Sequence, residues 1–260
     1  MAAGKLSDKV IVVTGGTQGV GEAIAREAAA LGAAGIAICG RDAKRGKAVA
    51  KSISGKGTTC IFVQADLARE EDCRNVVRET DKKFGRVDGL VNAAGLTNRG
   101  TIDNTTVELW DLLFAVNTRA PFILTQEAIR VMRREKRGGS IVNIITRSSH
   151  GGQPFLTAYS ASKGALAVLT KNVAHAVRAD RIRVNGINIG WMDTPGEHVI
   201  QKSDGKPADW LKRANASQPF GRILVPRDAA VLSAYLLGDD SMLMTGSVID
   251  FDQNVMGAYD

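Results

Sequence analysis

The chain has 260 residues, 44% hydrophobic and 23% charged, a balance that suits one α/β domain whose core closes without disulfides or structural metal. Its formal net charge of +7 raises nucleic acid as a partner, but the densest basic run, Arg133-Arg134-Glu135-Lys136-Arg137, ends a helix-like segment where the helix dipole favours cations, and no zinc-finger or RNP pattern accompanies it. No apolar run nears the ~20 residues of a membrane span, the opening MAAGKLSDKV holds no apolar signal core, and Cys39, Cys60 and Cys73 lack CxxC or metal-ligand spacing, so a reduced, cytoplasmic protein is expected.

Short apolar runs alternate with amphipathic segments along the whole chain. The strand-like run Val10–Val13 is followed by a helical pattern in which Val20, Ile24, Ala28 and Leu31 share a face and Gly32 is the stop. Strands are expected next at Gly35–Cys39, Thr59–Val63, Val87–Asn92, Ser140–Ile144, Arg183–Ile187 and Ser247–Phe251. Helices are expected at Ala43–Ile53, Glu70–Phe84, Val107–Asn117, Thr125–Arg134, Ala158–Arg178 and Arg227–Leu237. Such alternation implies a single Rossmann-like domain, a doubly wound parallel sheet of about seven strands with helices on both faces. A cofactor half is expected over about 1–140 and a catalytic and substrate half over about 140–260. Residues 193–223, with Pro195, Gly196, Gly205, Pro207 and Pro219 and no clear strand, read as a lid over a binding site.

Between the first strand and first helix lies Thr14-Gly15-Gly16-Thr17-Gln18-Gly19-Val20-Gly21. Glycines at such a place let the backbone turn tightly and approach a pyrophosphate, whose charge the helix N-terminus meets. Gly15, Thr17, Gln18, Gly19, Val20 and Gly21 are therefore candidate phosphate-binding residues, and the remaining positive charge suits an anionic cofactor.

The TGxxxGxG spacing of Thr14–Gly21 resembles the short-chain dehydrogenase/reductase family, and further matches cover nearly the whole sequence. Asp66-Leu67 is similar to the family's adenine-contacting pair. Asn92-Ala93-Ala94-Gly95 is close to its NNAG, with Ala93 for the second Asn. Asn117 stands before Pro121-Phe122 as the family's catalytic Asn does, and Tyr159-Ser160-Ala161-Ser162-Lys163 matches its YxxxK. The resemblance implies a nicotinamide cofactor, an alcohol or carbonyl substrate and a homo-oligomer, a homotetramer or a dimer. It also implies that Asn92, Ala93, Gly95, Tyr159 and Lys163 contact the cofactor and that Asn117 supports a proton relay.

Two departures bear on function. Thirteen residues before Tyr159, where the family has its catalytic Ser, stands Thr146, with Ser148 as the alternative if two residues are inserted. Where the family reads Pro-Gly-x-x-x-Thr, this chain has Ile189, Gly190 and Thr194, and contact of Thr194 with the nicotinamide carboxamide follows from the match.

The second strand closes on Cys39-Gly40-Arg41-Asp42. An acidic residue there repels a 2′-phosphate, whereas Arg accepts it. Gly40-Arg41 therefore favours NADP, with Lys44 and Arg45 adding to the field; the alternative is NAD, its ribose held by Asp42.

A free phenol, with pKa near 10, is a poor base at neutral pH. Lys163, one helical turn beyond Tyr159, shares its helix face and is expected to stabilise the phenolate. In this reading Tyr159 is the acid/base, Thr146 the alkoxide-binding hydroxyl, Lys163 the modulator and Asn117 the relay support. Arg147, His150, Gln153 and His198, with Arg99 beyond the fourth strand, suggest a hydroxylated substrate such as a sugar, polyol or sugar acid. His150, His175 and His198 form no metal set. A catalytically silent NADP-binding sensor or scaffold is the competing reading, favoured by Thr146 and Ile189 and opposed by Asn117, Tyr159 and Lys163.

Overall fold

The computed structural model describes residues 5–55 and 57–255; residues 1–4 of the opening segment lie outside the described residues. In chain order the elements are β1 (Val10–Val13), α1 (Gly19–Ala30), β2 (Gly35–Gly40), α2 (Ala43–Ile53), β3 (Thr59–Gln64), α3 (Glu70–Phe84), β4 (Gly89–Asn92), α4 (Val107–Phe114), α5 (Ala120–Glu135), β5 (Gly139–Ile144), α6 (Thr157–Val177), β6 (Ile182–Ile189), α7 (Pro195–Ser203), α8 (Trp210–Ala216), α9 (Pro226–Leu237) and β7 (Val248–Phe251). The seven strands form one parallel sheet in the order β3-β2-β1-β4-β5-β6-β7. Strand order reverses between β1 and β4, and the crevice at the carboxyl ends of those strands is where such sheets bind ligands.

Alternation along the strands divides the core in two. Val12, Leu90, Ile141 and Val184 pack with Val76 and Val77 of α3 and Leu124 and Met132 of α5. Ile11, Val13, Val91, Val142 and Ile187 point the other way, against Ile24 and Ala28 of α1 and Ala230 and Ala234 of α9. Both faces are covered, so β1 and β4 are buried at every position and read as unbroken apolar runs.

The basic run at the end of α5 is a helix terminus. Lys136 takes a left-handed conformation (φ 56°), Arg133 pairs with Asp180 at 2.8 Å, and Arg134 pairs with Asp81 at 2.7 Å. Cys39, Cys60 and Cys73 are buried free thiols; burial pushes Cys39 and Cys60 up to about 12 and Cys73 up to about 11.

Two segments differ from expectation. Instead of running on to Asn117, α4 stops at Phe114 and a π-helical turn over Ala115–Arg119 leads into α5, which starts five residues earlier than its apolar pattern suggests. Pro121 has no N–H to offer the Asn117 carbonyl four residues back, so a regular ladder cannot continue there. Residues 193–223 contain two short helices, α7 and α8. The first opens on Thr194, whose hydroxyl accepts from Glu197 N at 3.1 Å, with Pro195 in its first turn.

Candidate active site

The glycine turn between β1 and α1 is built for close approach. Gly15 and Gly19 have φ of 65° and 57°, which favour glycine. A Cβ on Gly15 would lie 2.9 Å from the Ala94 Cα, and one on Gly21 would lie 2.5 Å from the Gly15 carbonyl oxygen. Thr14 Oγ1 accepts from Ala93 N and Ala94 N, both at 3.0 Å, and so ties the turn to the end of β4. No side chain caps α1, because Gln18 instead accepts from Arg45 Nη1 at 2.6 Å. The first N–H groups of α1 are thus left for a ligand, and an anion is what they suit.

A cavity of about 1100 Å³ runs from this turn across the crevice to α7. Its walls include Gly15, Thr17, Gln18, Gly19, Val20, Gly21, Arg41, Asp66, Leu67, Ala93, Gly95, Tyr159, Lys163 and Thr194. Of the cofactor candidates only Asn92 lies behind the wall, buried, donating from Nδ2 to Asn143 Oδ1 at 2.8 Å. A cradle with no room for a Cβ at Gly15, Gly16 or Gly21, facing an uncapped helix end, fits a dinucleotide.

At the end of β2, a Cβ on Gly40 would lie 2.9 Å from Thr17 Cγ2, so this position is crowded for an acidic side chain. Asp42 caps α2, accepting from Arg45 N at 2.9 Å. Arg41 is exposed, and its guanidinium has no ion-pair partner among the described residues.

Across the crevice, Tyr159 and Lys163 lie one turn apart on α6, both buried. Lys163 Nζ donates to the Ile144 carbonyl at 2.7 Å, and burial pushes its ammonium down to about 8. Burial pushes the Tyr159 phenol up to about 12; the Thr146 side chain offsets part of that rise, and the Glu197 carboxylate adds to it. Thr146 stands just beyond β5 and lines the cavity. Ser148 lines it as well, but its hydroxyl donates to Gln153 Oε1. Asn117, in the π-helical turn, accepts from Leu96 N at 2.9 Å and donates to the Leu96 carbonyl at 2.9 Å and to Ser162 Oγ at 3.1 Å, clamping the loop after β4 to α6.

The substrate candidates divide. Arg147 and Gln153 line the cavity. Arg147 is paired with Asp252, which is 5% exposed. His150 and His198 are outside the wall. His150 meets Asp250 at 2.8 Å and Asn188 at 3.1 Å, whereas His198 meets Asp193 at 2.7 Å and packs edge-on against Trp210. In their place α7 and the loop before it contribute Trp191, Glu197 and Gln201. The spacing Thr194-x-x-Glu197 is the capping-box signature of a helix start and would have placed Glu197 on the first turn of a helix.

A parallel sheet with a glycine turn at its switch point and a buried Tyr–Lys pair across the crevice is the architecture of a nicotinamide-dependent oxidoreductase. The sequence model of the short chain dehydrogenase family matches residues 9–205, and the chain belongs to that family. It is 36% identical over 246 residues to an NADP-dependent (R)-specific alcohol dehydrogenase of Lentilactobacillus kefiri, covering 94% of each chain. It is 32% identical over 244 residues to an L-fucose dehydrogenase of Bos taurus, covering 94% of this chain and 87% of that one. Among solved structures, a putative short-chain alcohol dehydrogenase from Sinorhizobium meliloti 1021 superposes with a TM-score of 0.87 at 29% identity, over 95% of this chain and 96% of that one.

Proposed function

We propose that this oxidoreductase is an NADP-dependent alcohol dehydrogenase or carbonyl reductase acting on a hydroxylated secondary alcohol or ketone, such as a sugar, polyol or sugar acid. The observation that carries this reading is the buried Tyr159 phenol at the wall of the cavity that Thr146 also lines, with Lys163 one turn away. Gly15, Thr17, Gln18, Gly19, Val20 and Gly21 are assigned to the pyrophosphate and Arg41 to the 2′-phosphate. Asp66 and Leu67 are assigned to adenine, Asn92, Ala93 and Gly95 to the approach of the nicotinamide ribose, and Thr194 to the carboxamide. When bound, the cofactor supplies or accepts the hydride and, oxidised, adds a positive charge beside the phenol.

The remaining chemistry belongs to side chains. Thr146 bonds the substrate oxygen, which carries most of the developing charge. Tyr159, a phenol held protonated at neutral pH by burial, gives its proton to that oxygen in the reducing direction and takes it back in the oxidising one. Lys163, still mostly protonated at neutral pH, favours the phenolate that remains and anchors the ribose. Asn117 keeps the wall between them in place for a proton relay. The exposed Arg41 beside the crowded Gly40, with Asp42 occupied as a helix cap, favours NADP over NAD.

The test is a screen of sugars, polyols, sugar acids and ketones against both oxidised and reduced cofactors, read by nicotinamide absorbance. Turnover of hydroxylated substrates with NADP is expected. Turnover of long-chain acyl ketones alone would contradict the substrate class. Tight NADP binding with no turnover of any alcohol or carbonyl would favour a sensor instead.

A further inference from the structure

The end of the cavity beyond Tyr159 contains charged side chains that are unequally engaged. Arg99, in the loop between β4 and α4, reaches α7, where it pairs with Asp204 and lies 3.8 Å from Glu197 Oε1. Arg147 is paired with the buried Asp252. Both guanidiniums that reach this end therefore already have carboxylate partners, and neither has a full charge to offer an anionic substrate. Glu197 is engaged on one oxygen only. Its Oε1 accepts from Trp191 Nε1 at 2.8 Å and from Gln201 Nε2, while Oε2 takes no hydrogen bond among the described residues. Its side chain is 17% exposed and lines the same cavity as Tyr159. Lys206, at the exposed rim, has no ion-pair partner among the described residues, but a charge in solvent is largely screened.

We propose that Glu197 is the specificity-determining residue of this site: Oε2 accepts a hydrogen bond from a substrate hydroxyl, and the carboxylate's charge excludes anionic substrates, so that neutral polyols and hydroxyketones are taken and sugar acids are refused. The inference rests on the alcohol dehydrogenase reading and narrows it. A hydroxyl donates to a carboxylate in one of the stronger hydrogen bonds available to a neutral ligand. A second carboxylate brought beside Glu197 in a half-buried cleft meets like-charge repulsion that only Arg99 is placed to offset, and Arg99 faces two carboxylates already. The Trp191 indole, held by Glu197 and 40% exposed, offers an apolar face for the carbon skeleton of a polyol.

The test compares kcat/KM of the wild type and Glu197→Gln with NADP on two matched pairs, sorbitol against gluconate and 2-butanol against lactate. Glutamine keeps an oxygen for the Trp191 N–H and removes the charge. The wild type is expected to favour the neutral member of each pair it turns over by at least about 10-fold. In Glu197→Gln that ratio should collapse toward one, through a gain on the anionic member and a several-fold loss on sorbitol. The apparent pKa of the phenol in the pH profile should fall in the variant, because the charge that raises it has gone. A purely structural role would depress both members of a pair alike and leave their ratio and the pH profile unchanged, which would overturn the proposal. So would a wild type that favours gluconate or lactate. A wild type that turns over neither pair, nor any other alcohol, removes the dehydrogenase reading and this inference with it, and does so before any variant is compared.

Discussion

A developing alkoxide needs one hydroxyl at the right distance, and threonine offers it with less rotameric freedom than serine. Thr146 lines the cavity and its hydroxyl accepts from Ser148 N at 3.3 Å, whereas the Ser148 hydroxyl is turned to Gln153. Thr146→Ser should therefore keep activity, while Thr146→Val, nearly the same shape without the donor, should lower kcat by about 10²–10³-fold. Ser148→Ala should stay close to wild type; steady-state kinetics on one substrate decides the pair, and an inactive Ser148→Ala beside an active Thr146→Val would reverse the assignment. Lys163 makes a separate prediction, because burial holds its ammonium at about 8, below the ordinary 10.5. Below both values the desolvation penalty is fully present. Between them the unfolded chain binds the extra proton, so stability rises with pH through that window. The stability of wild type relative to Lys163→Met should thus grow by about 2–3 kcal/mol from neutral pH to about pH 10. Denaturant unfolding of both proteins measures it, and a pH-independent difference would show that the ammonium is not desolvated in the folded state.

The glycine turn, the strands and the Tyr–Lys helix could be read from sequence because each rests on a local pattern: a fixed glycine spacing, apolar runs, two side chains one turn apart. What could not be read depended on partners distant in the chain. Arg147 looked available to substrate until β7 brought Asp252 against it, and His150 and His198 are held by Asp250 and Asp193 outside the cavity. Helix α7 was hidden by its prolines and glycines, although Thr194-Pro195 is a helix start. The π-helical turn at Asn117 follows from Pro121, a proline whose effect lies four residues upstream. At the end of β2, a Cβ on Gly40 meets Thr17, so replacing that glycine with an acid would strain the turn as well as change its charge. Arg41→Leu is the cleaner probe. It should weaken NADP binding by about 10-fold or more and leave NAD nearly unchanged, as followed by fluorescence titration. Equal affinities for the two cofactors in the wild type would contradict the assignment of Arg41.

The sheet order and the two-sided core bring the glycine turn, Tyr159, Lys163 and Thr146 to the walls of one cavity, with Asn92 and Asn117 buried behind it. On the outside, Phe122 and Val168, 43% and 60% exposed, border a shallow groove between α4, α5 and α6, and Trp110 stacks on Phe114 beside it at 4.8 Å. We propose that a second copy of the chain covers this exposed apolar face. Light scattering should give at least a dimer, and Val168→Glu should shift it toward monomer; a monomeric wild type would contradict that proposal. The proton-donor role of Tyr159 is tested by the rate of NADPH oxidation with a hydroxyketone in wild type and Tyr159→Phe, measured beside the NADPH affinity of each. The variant should lose about 10³-fold or more in kcat with its affinity for NADPH changed only several-fold. A Tyr159→Phe enzyme that reduces the ketone at the wild-type rate would show that the proton comes from elsewhere.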